Sequence, residues 1–186
     1  MFSVTQYGKE LDKNDYTWDE KNKVFSANRS HLVLDFSNYY GVTFTTGSHC
    51  IFKTGPACTF NTDYDCAFYT GCNCIFNTDS YCIFYTGSGC TFKTGDDCVF
   101  RAGEDCIFET GKNCFVTRYD INGVTEIPAN KKIKLNRHQI AGYTEIKEEI
   151  KETNCNGKVV VIDGKEYTLQ LKGEYGRKIN KMSINC

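Results

Sequence analysis

Proline, tryptophan and histidine are scarce in this 186-residue sequence, with two, one and three residues respectively. The net charge of −1 gives no strong field that would attract nucleic acid or an anionic membrane, and we expect neither as a partner. No apolar run reaches the ~18 residues of a membrane-spanning helix. The motifs of phosphate-binding loops, dinucleotide-binding turns, HExxH metalloproteases and serine-hydrolase elbows are also missing. We therefore expect a protein that is not an enzyme and that uses no cofactor and no metal.

A secretory signal is also missing from the start of the chain. The opening stretch MFSVTQYGKELDKNDYTWDE contains acids and lacks a basic segment followed by an apolar core. We therefore expect a protein that is not secreted through a signal peptide. The twelve cysteines would suggest a disulfide framework in a secreted chain, but a cytosol keeps thiols reduced.

The cysteines instead follow a repeat of eight residues. In each repeat a cysteine precedes a phenylalanine by two positions, and residues i and i+2 of a strand share one face, so both side chains are expected to point into a core. The first two repeats contain Leu34 and Val42 in place of cysteine, which indicates a small apolar core site. The predicted core ladder consists of Cys50, Phe52, Cys58, Phe60, Cys66, Phe68, Cys74, Phe76, Cys82, Phe84, Cys90, Phe92, Cys98, Phe100, Cys106, Phe108 and Cys114.

A period of sixteen underlies the period of eight. The residue after phenylalanine alternates between asparagine and tyrosine in four successive repeats: Asn61, Tyr69, Asn77 and Tyr85. We infer two repeats per turn, which predicts an all-β fold: a β-solenoid (β-helix) with two opposed sheets and about five turns. A glycine follows the threonine of most repeats. We expect it to form the corner with a positive φ, with Asp63 and Asp79 in that place in two repeats.

Three segments follow from this pattern. Residues 1–33 are predicted to be an N-terminal cap, residues 34–118 the octapeptide-repeat solenoid, and residues 119–186 a C-terminal β-rich cap or attachment domain, because an uncovered solenoid end is an open sheet edge. In the N-terminal cap the aromatic side chains are expected to plug the open core: Tyr7, Tyr16, Trp18 and Phe25.

Two local structures are expected in the C-terminal segment. Asp163 and Gly164 lie between two alternating stretches, which is typical of a β-hairpin turn. The charged stretch 143–152 fits a short helix or a charged strand.

Disulfide and metal roles for the cysteine ladder are less favoured than core filling. Neighbouring cysteines in one ladder have parallel Cβ vectors, whereas disulfides need convergent ones and zinc needs a tetrahedral cluster. Cys72 lies outside the frame and is expected on an exposed corner. A Cys–His pair is formally available where His49 adjoins Cys50, but neighbouring residues of a strand point to opposite faces, which disfavours it.

The outward positions of the repeats indicate a binding surface. On one face an apolar and aromatic stripe is flanked by basic residues, and such patches mark interaction sites. The alternative is that these are ordinary β-forming residues, or that a terminal domain covers them. The predicted binding residues are Ile51, Lys53, Ala67, Tyr69, Ile83, Tyr85, Val99 and Arg101. The opposite face contains Thr59 and Thr91, but Ile75 and Ile107 interrupt that row.

The C-x-F-x-T-G pattern resembles a set of octapeptide-repeat proteins encoded by phages and other viruses. The flanking stretches YTWDEKNKVFS and IPANKKIKLN also resemble those of that set. The resemblance implies a viral source, a location in the host cytoplasm or the virion, and no known activity. The expected function is a structural or protein-interaction module, with a protein partner or a homo-oligomer. The alternatives are an anti-defence protein that captures a host protein or small ligand, and an ice or flat-surface binder.

Overall fold

The structure is a computed structural model that describes residues 1–147 and the backbone of two later strands, at 159–162 and 165–168. These residues belong to two compact units, Met1–Lys147 and Glu148–Cys186. The described residues contain no α-helix.

The first unit consists of short strands and one 3₁₀ turn. Before the repeats come β1 (Ser3–Gln6), β2 (Lys9–Glu10), the 3₁₀ turn (Lys13–Asp15), β3 (Thr17–Asp19) and β4 (Val24–Ser26). The repeats supply β5 (Leu32–Phe36), β6 (Thr43–Thr46), β7 (Ile51–Thr54), β8 (Thr59–Thr62), β9 (Ala67–Tyr69), β10 (Ile75–Asn77), β11 (Ile83–Tyr85), β12 (Thr91–Lys93), β13 (Val99–Ala102), β14 (Ile107–Glu109) and β15 (Cys114–Arg118). After them come β16 (Val124–Ile127), β17 (Lys132–Leu135) and β18 (Tyr143–Glu145).

Successive repeat strands alternate between two nine-stranded sheets. Sheet A has the order β16-β15-β13-β11-β9-β7-β5-β1-β2, and sheet B has the order β18-β17-β14-β12-β10-β8-β6-β4-β3. From β6 onwards each repeat strand pairs in parallel with the strand sixteen residues away, as Phe68 does with Phe84 and Phe60 with Phe76. The all-β solenoid with two repeats per turn is therefore confirmed. It has six coils rather than five, because β4 adds a strand to sheet B, with Phe25 opposite Phe44.

The predicted cysteine and phenylalanine positions form the core between the sheets. Every phenylalanine from Phe44 to Phe108 is fully buried, and so is nearly every cysteine. Rings of one sheet stack in parallel, with centroids 4.9 Å apart for Phe60 and Phe76, and meet rings of the other sheet edge-on, at 5.2 Å for Phe68 and Phe76. These are the two preferred aromatic geometries. The core is therefore a continuous column of interlocked rings.

The first repeat departs from the predicted frame by two residues. Leu34 lies opposite Phe52 rather than in a cysteine position, and Phe36 lies opposite Thr54. The loop between Phe36 and the next strand is two residues longer than a standard corner. It contains a tight turn, in which the amide of Tyr39 donates to the carbonyl of Phe36 at 2.8 Å. Because the two extra residues lie in a loop, inward and outward side chains still alternate in the strands on either side of it. The sequence pattern therefore gives no sign of the insertion.

The expected role of the corner glycines is also wrong. The left-handed residues come directly before each cysteine position, and most are not glycine: His49, Ala57, Asp65, Asn73, Tyr81, Gly89, Asp97, Asp105 and Asn113. The glycine after threonine, like Asp63 and Asp79, has no positive φ. Gly71 is required by space instead, because a Cβ there would lie 2.8 Å from the backbone nitrogen of Pro56 in the preceding coil.

The N-terminal strands close the first coil with aromatic side chains. Trp18 packs edge-on against Phe36 at 5.6 Å, and Tyr16 stacks on the buried Phe25 at 5.3 Å. The expected plug is therefore present for these residues. It is wrong for Tyr7, which is 75% exposed and lies against His31 at a corner.

The last coil is followed by antiparallel strands. β16 pairs with β15, and β17 pairs with β14 and β18. The side chain of Arg118 connects these strands to the last coil. It forms a bidentate ion pair with Asp120 and donates hydrogen bonds to the carbonyls of Asn136 and Ile140. Residues 143–145 of the ambiguous charged stretch form a strand, and residues 148–152 lie outside the described residues.

The second unit contains one described element, an antiparallel pair of β19 (Val159–Ile162) and β20 (Lys165–Thr168). In their register Ile162 lies opposite Lys165, as a two-residue hairpin connection requires. The expected turn residues, Asp163 and Gly164, lie outside the described residues.

Candidate functional site

Parallel pairing in exact coil-to-coil register places the eight predicted binding residues side by side on the outer face of sheet A. The partners in one row are Ile51, Ala67, Ile83 and Val99, and in the adjacent row Lys53, Tyr69, Tyr85 and Arg101. We call these two rows the exposed stripe. The large apolar members are open to solvent, with 44% of Ile83 and 48% of Val99 exposed. No other described residue covers them.

The apolar row is longer than the sequence pattern indicated. The eight-residue frame predicts Asp35 and Ser37 at the head of the two rows, but the two-residue shift of the first repeat places Val33 beside Ile51 and Asp35 beside Lys53. At the other end Phe115, which is 37% exposed, continues the row beside Val99. The first coil therefore contributes an apolar side chain where the frame predicts a carboxylate, so the row has no charge within it.

Aromatic and charged side chains make the second row rigid. The rings of Tyr69 and Tyr85 stack at 5.0 Å with only 2° between their planes, which leaves their edges and hydroxyls facing outward. The guanidinium of Arg101 lies 4.9 Å from the ring of Tyr119. Hydrogen bonds from Ser37, together with the nearby charge of Lys53, hold the pKa of Asp35 below its ordinary value. Side chains held in this way lose little conformational freedom when they bind a partner.

A third row, which the sequence analysis missed, borders the apolar row on its other side. It consists of the left-handed corner residues of sheet A: His49, Asp65, Tyr81, Asp97 and Asn113. Its members contact one another between coils: His49 Nε2 lies 3.3 Å from Asp65 Oδ2, and Asn113 Nδ2 donates to Asp97 Oδ1 at 3.1 Å. The recurrence of Asp and Asn directly before cysteine is the sequence signal for this row, because those residues favour the left-handed region.

The small side chain of Ala67 leaves a depression in the face of sheet A. The depression has a volume of about 290 Å³, and its lining combines the apolar row with corner residues: His49, Cys50, Ile51, Asp65, Cys66, Ala67, Tyr81 and Ile83. A hollow that is apolar on one side and polar on the other can receive a protruding side chain of a binding partner.

The buried cysteines serve the backbone as well as the core. The thiol sulfur of one coil accepts a hydrogen bond from the amide of the cysteine in the coil before it, at 3.4 Å for the pairs Cys50–Cys66 and Cys90–Cys106. The thiol of Cys50 also donates to the carbonyl of Ser48 at 3.4 Å. The sequence analysis described these cysteines only as apolar filler. In fact, they satisfy corner amides that have no carbonyl partner.

The thiol-to-thiol hydrogen bonds shift the pKa values of the ladder cysteines in both directions. The hydrogen bonds with Cys66 and Cys98 lower the pKa of Cys82 to about 3, and the hydrogen bond with Cys98 lowers the pKa of Cys114 to about 6. The hydrogen bond with Cys106, and burial, raise the pKa of Cys90 to about 12. The hydrogen bond with Cys74, and burial, raise the pKa of Cys58 far above its ordinary value. Cys72 is exposed on a corner, as expected. Within residues 1–147 no three or more His, Cys, Asp and Glu side chains converge as metal ligands.

The outer face of sheet B differs from the exposed stripe. Thr59, Ile75, Thr91 and Ile107 lie in register in one row. In the adjacent row, Asn77 Nδ2 donates to Asn61 Oδ1 at 3.0 Å, and Lys93 lies opposite Glu109. The polar groups of this face are thus partly paired with one another, and isoleucines interrupt the threonines.

Comparison with known proteins identifies no relative. No family model, no curated protein and no solved structure matches the chain. In the described residues no helix is long and apolar enough to cross a membrane. Arguments about function therefore depend on the two faces themselves.

Proposed function

We propose that this chain is a non-enzymatic β-solenoid that acts as a structural or protein-interaction module through the exposed stripe. The observation that supports this proposal is the uninterrupted apolar row from Val33 to Phe115, which lies beside the stacked pair Tyr69 and Tyr85. Its large members from Ile51 to Phe115 are exposed, and Val33 and Ala67 are half-buried. Contiguous apolar patches of this kind mark interaction sites, and tyrosine and arginine are enriched in protein interfaces.

A protein fits the stripe better than a small molecule does. The surface is long, and its depression at Ala67 is shallow and open. Small-molecule sites are concave and enclose most of the ligand. A flat face with apolar residues at its centre and polar or charged residues at its margins has the layout of a protein interface.

The viral setting remains part of the proposal. The resemblance of the C-x-F-x-T-G repeats to phage and viral proteins supports a role in a virion or in an infected host cytoplasm. Capture of a host protein, as an anti-defence function, would use the same stripe. Binding to ice is less favoured, because Ile75 and Ile107 interrupt the threonine row of sheet B.

Paired variants test the proposal. Tyr69→Glu with Tyr85→Glu places two charges in the middle of the exposed stripe, and Asn61→Glu with Asn77→Glu places two charges at the same coil spacing on sheet B. Self-association is measured by light scattering on a size-exclusion column, and protein binding by affinity capture from host lysate. We expect the tyrosine variant to lose binding at least tenfold and the asparagine variant to retain it. Equal behaviour of the two variants would refute a role for the stripe.

A further inference from the structure

We infer that the partner of the exposed stripe is a second copy of this chain, packed face to face about a two-fold axis that runs along the apolar row, parallel to the solenoid axis. The inference depends on the proposed function, since it uses the same surface. It follows from the order of the three rows on sheet A.

The three rows lie side by side. In each coil the corner residue, the apolar residue and the outer residue are two positions apart in the chain, as in Asp97, Val99 and Arg101. Val99 and Arg101 are alternate residues of one strand and face the same side, whereas Asp97 precedes the strand with a left-handed backbone. The corner row and the outer row therefore flank the apolar row on opposite sides. The lining of the depression shows that corner and apolar side chains share this face, because His49 and Asp65 line it together with Ile51 and Ile83.

A two-fold axis along the apolar row keeps each coil opposite the same coil of the second copy and exchanges the two flanking rows. In an isologous interface, if residue i of one copy contacts residue j of the other, residue j of the first copy also contacts residue i of the second. The corner residue of one copy then faces the outer residue of the other copy in the same coil. The facing pairs are Asp65 with Tyr69, Tyr81 with Tyr85, Asp97 with Arg101, and Asn113 with Thr117.

Two of these pairs are chemically complementary, whereas a further pair, His49 with Lys53, brings two basic side chains together. The carboxylate of Asp65 can accept from the hydroxyl of Tyr69, and Asp97 and Arg101 are opposite charges. Within residues 1–147 neither Asp97 nor Arg101 forms an ion pair: Asp97 accepts only from Asn113, and Arg101 lies on Tyr119. Each of the two residues therefore keeps charge available for a partner. The centre of the interface is apolar against apolar, as a stable interface core requires.

The size of the face predicts a weak dimer. Five coils at ~4.8 Å span about 24 Å, and four residues at ~3.3 Å span about 13 Å, so the face covers roughly 300 Å² in projection. Counted over both copies this is roughly 600 Å² in projection, below the ~1,200–2,000 Å² that stable specific interfaces bury. We expect a weak, transient dimer with a dissociation constant on the order of 100 µM.

Charge reversal at one facing pair gives a decisive test. Asp97→Arg places a second guanidinium opposite Arg101 of the other copy, and Arg101→Asp places a second carboxylate opposite Asp97, so each variant alone repels its own copy. In an equimolar mixture of the two variants both facing pairs again have opposite charges. Sedimentation velocity of the full chain from about 10 to about 1,000 µM, a range that brackets the expected dissociation constant, and native mass spectrometry of the mixture measure the outcome.

We expect the unaltered chain to dimerise, each variant alone to weaken dimerisation at least tenfold, and the mixture to form a heterodimer. The doubly reversed chain should form a homodimer again. The control Lys93→Asp, on sheet B, should dimerise like the unaltered chain. Circular dichroism establishes that every variant is folded. A chain that stays monomeric at the highest concentration, or single variants that dimerise normally, would overturn the inference.

The same measurements separate the inference from the proposed function. If the chain stays monomeric but captures another protein in a way that Tyr69→Glu with Tyr85→Glu abolishes, the second copy is wrong and the stripe remains the interaction site. If a dimer forms and none of the stripe variants changes it, the second copy binds another face and the inference is wrong. The proposed function also fails if Tyr69→Glu with Tyr85→Glu leaves the capture of other proteins unchanged.

Discussion

The sulfur of Cys66 lies 3.4 Å from the backbone nitrogen of Cys50, one coil earlier, and accepts its hydrogen bond. The same contact recurs along both sheets, between Cys74 and Cys90 in sheet B and between Cys98 and Cys114 in sheet A. Cysteine is therefore used as a small apolar residue that also has an acceptor. Leu32 and Val42 occupy the positions next to Cys50 and Cys58 in the coil before, where the repeated contacts have not yet begun.

Removing the acceptor without changing the volume much should destabilise the solenoid. Cys66→Val leaves the amide of Cys50 buried without a partner, which costs about 1–3 kcal/mol. Chemical denaturation, followed by circular dichroism, measures this change. The control Cys72→Val, at an exposed corner, should change the unfolding free energy by less than about 0.5 kcal/mol. Equal effects of the two substitutions would show that the sulfur contact contributes nothing.

The ring column should be sensitive to truncation at its centre. Phe76 is fully buried between stacked neighbours on either side, so Phe76→Ala should cost about 3–5 kcal/mol. Phe115→Ala, at a 37% exposed position of the stripe, should cost much less. Thermal unfolding of the two variants compares them. If Phe115→Ala proved as damaging as Phe76→Ala, the burial difference between them would not govern stability.

The two kinds of corner residue should respond to substitution in opposite directions. Gly71→Ala forces a Cβ against Pro56 in the preceding coil and should destabilise. Ala57→Gly removes a side chain from a left-handed residue with φ of 59° and should stabilise, by up to about 1 kcal/mol. The denaturant concentration at the midpoint of unfolding should fall for Gly71→Ala and rise for Ala57→Gly. Stabilisation by Gly71→Ala would contradict the close approach between coils.

Cys90 should make a contribution to stability that falls at alkaline pH. The pKa of Cys90 is raised from about 9 to about 12 in the folded chain, so the folded state keeps a proton that the unfolded state releases. The resulting stability is complete below about pH 9 and is lost as the pH rises towards about 12. Unfolding free energies from neutral to strongly alkaline pH measure the slope, and Cys90→Ala should reduce it. An unchanged slope in that variant would assign the pH dependence to other groups.

Thiol labelling should distinguish Cys72 from the core cysteines. In a chain with Cys155→Ala and Cys186→Ala, a water-soluble thiol reagent at mildly alkaline pH should modify one cysteine quickly, because Cys72 is exposed and the nine ladder cysteines are buried. The ladder cysteines should react only at the rate of unfolding. Mass spectrometry counts the labels against time. Rapid modification of several cysteines would contradict a closed core.

The inward pattern was predictable because each strand repeats the same alternation, so Cys82 and Phe84 needed only the sequence to be assigned to the core. The shift of Leu34 was not predictable, because the extra residues lie in an irregular loop that leaves no period. The role of the corner glycines was predicted wrongly because glycine can serve two purposes. It allows a positive φ and it allows another backbone to approach closely, and the sequence alone does not show which of the two applies. The residues of the exposed stripe could be predicted from the eight-residue frame. The corner row beside them could be recognised only from the structure, which shows where residues such as Asp97 and Tyr81 lie.

One coil of sixteen residues consists of two half-coils with the same core and different outer faces. Removing a whole coil would shorten the column by one step and leave every remaining side chain on its own sheet. Removing a single octapeptide would leave the core intact yet move everything after it from one sheet to the other. A gene that gains or loses repeats singly can thus rebuild its outer surface in one event, while one that changes them in pairs alters only its length.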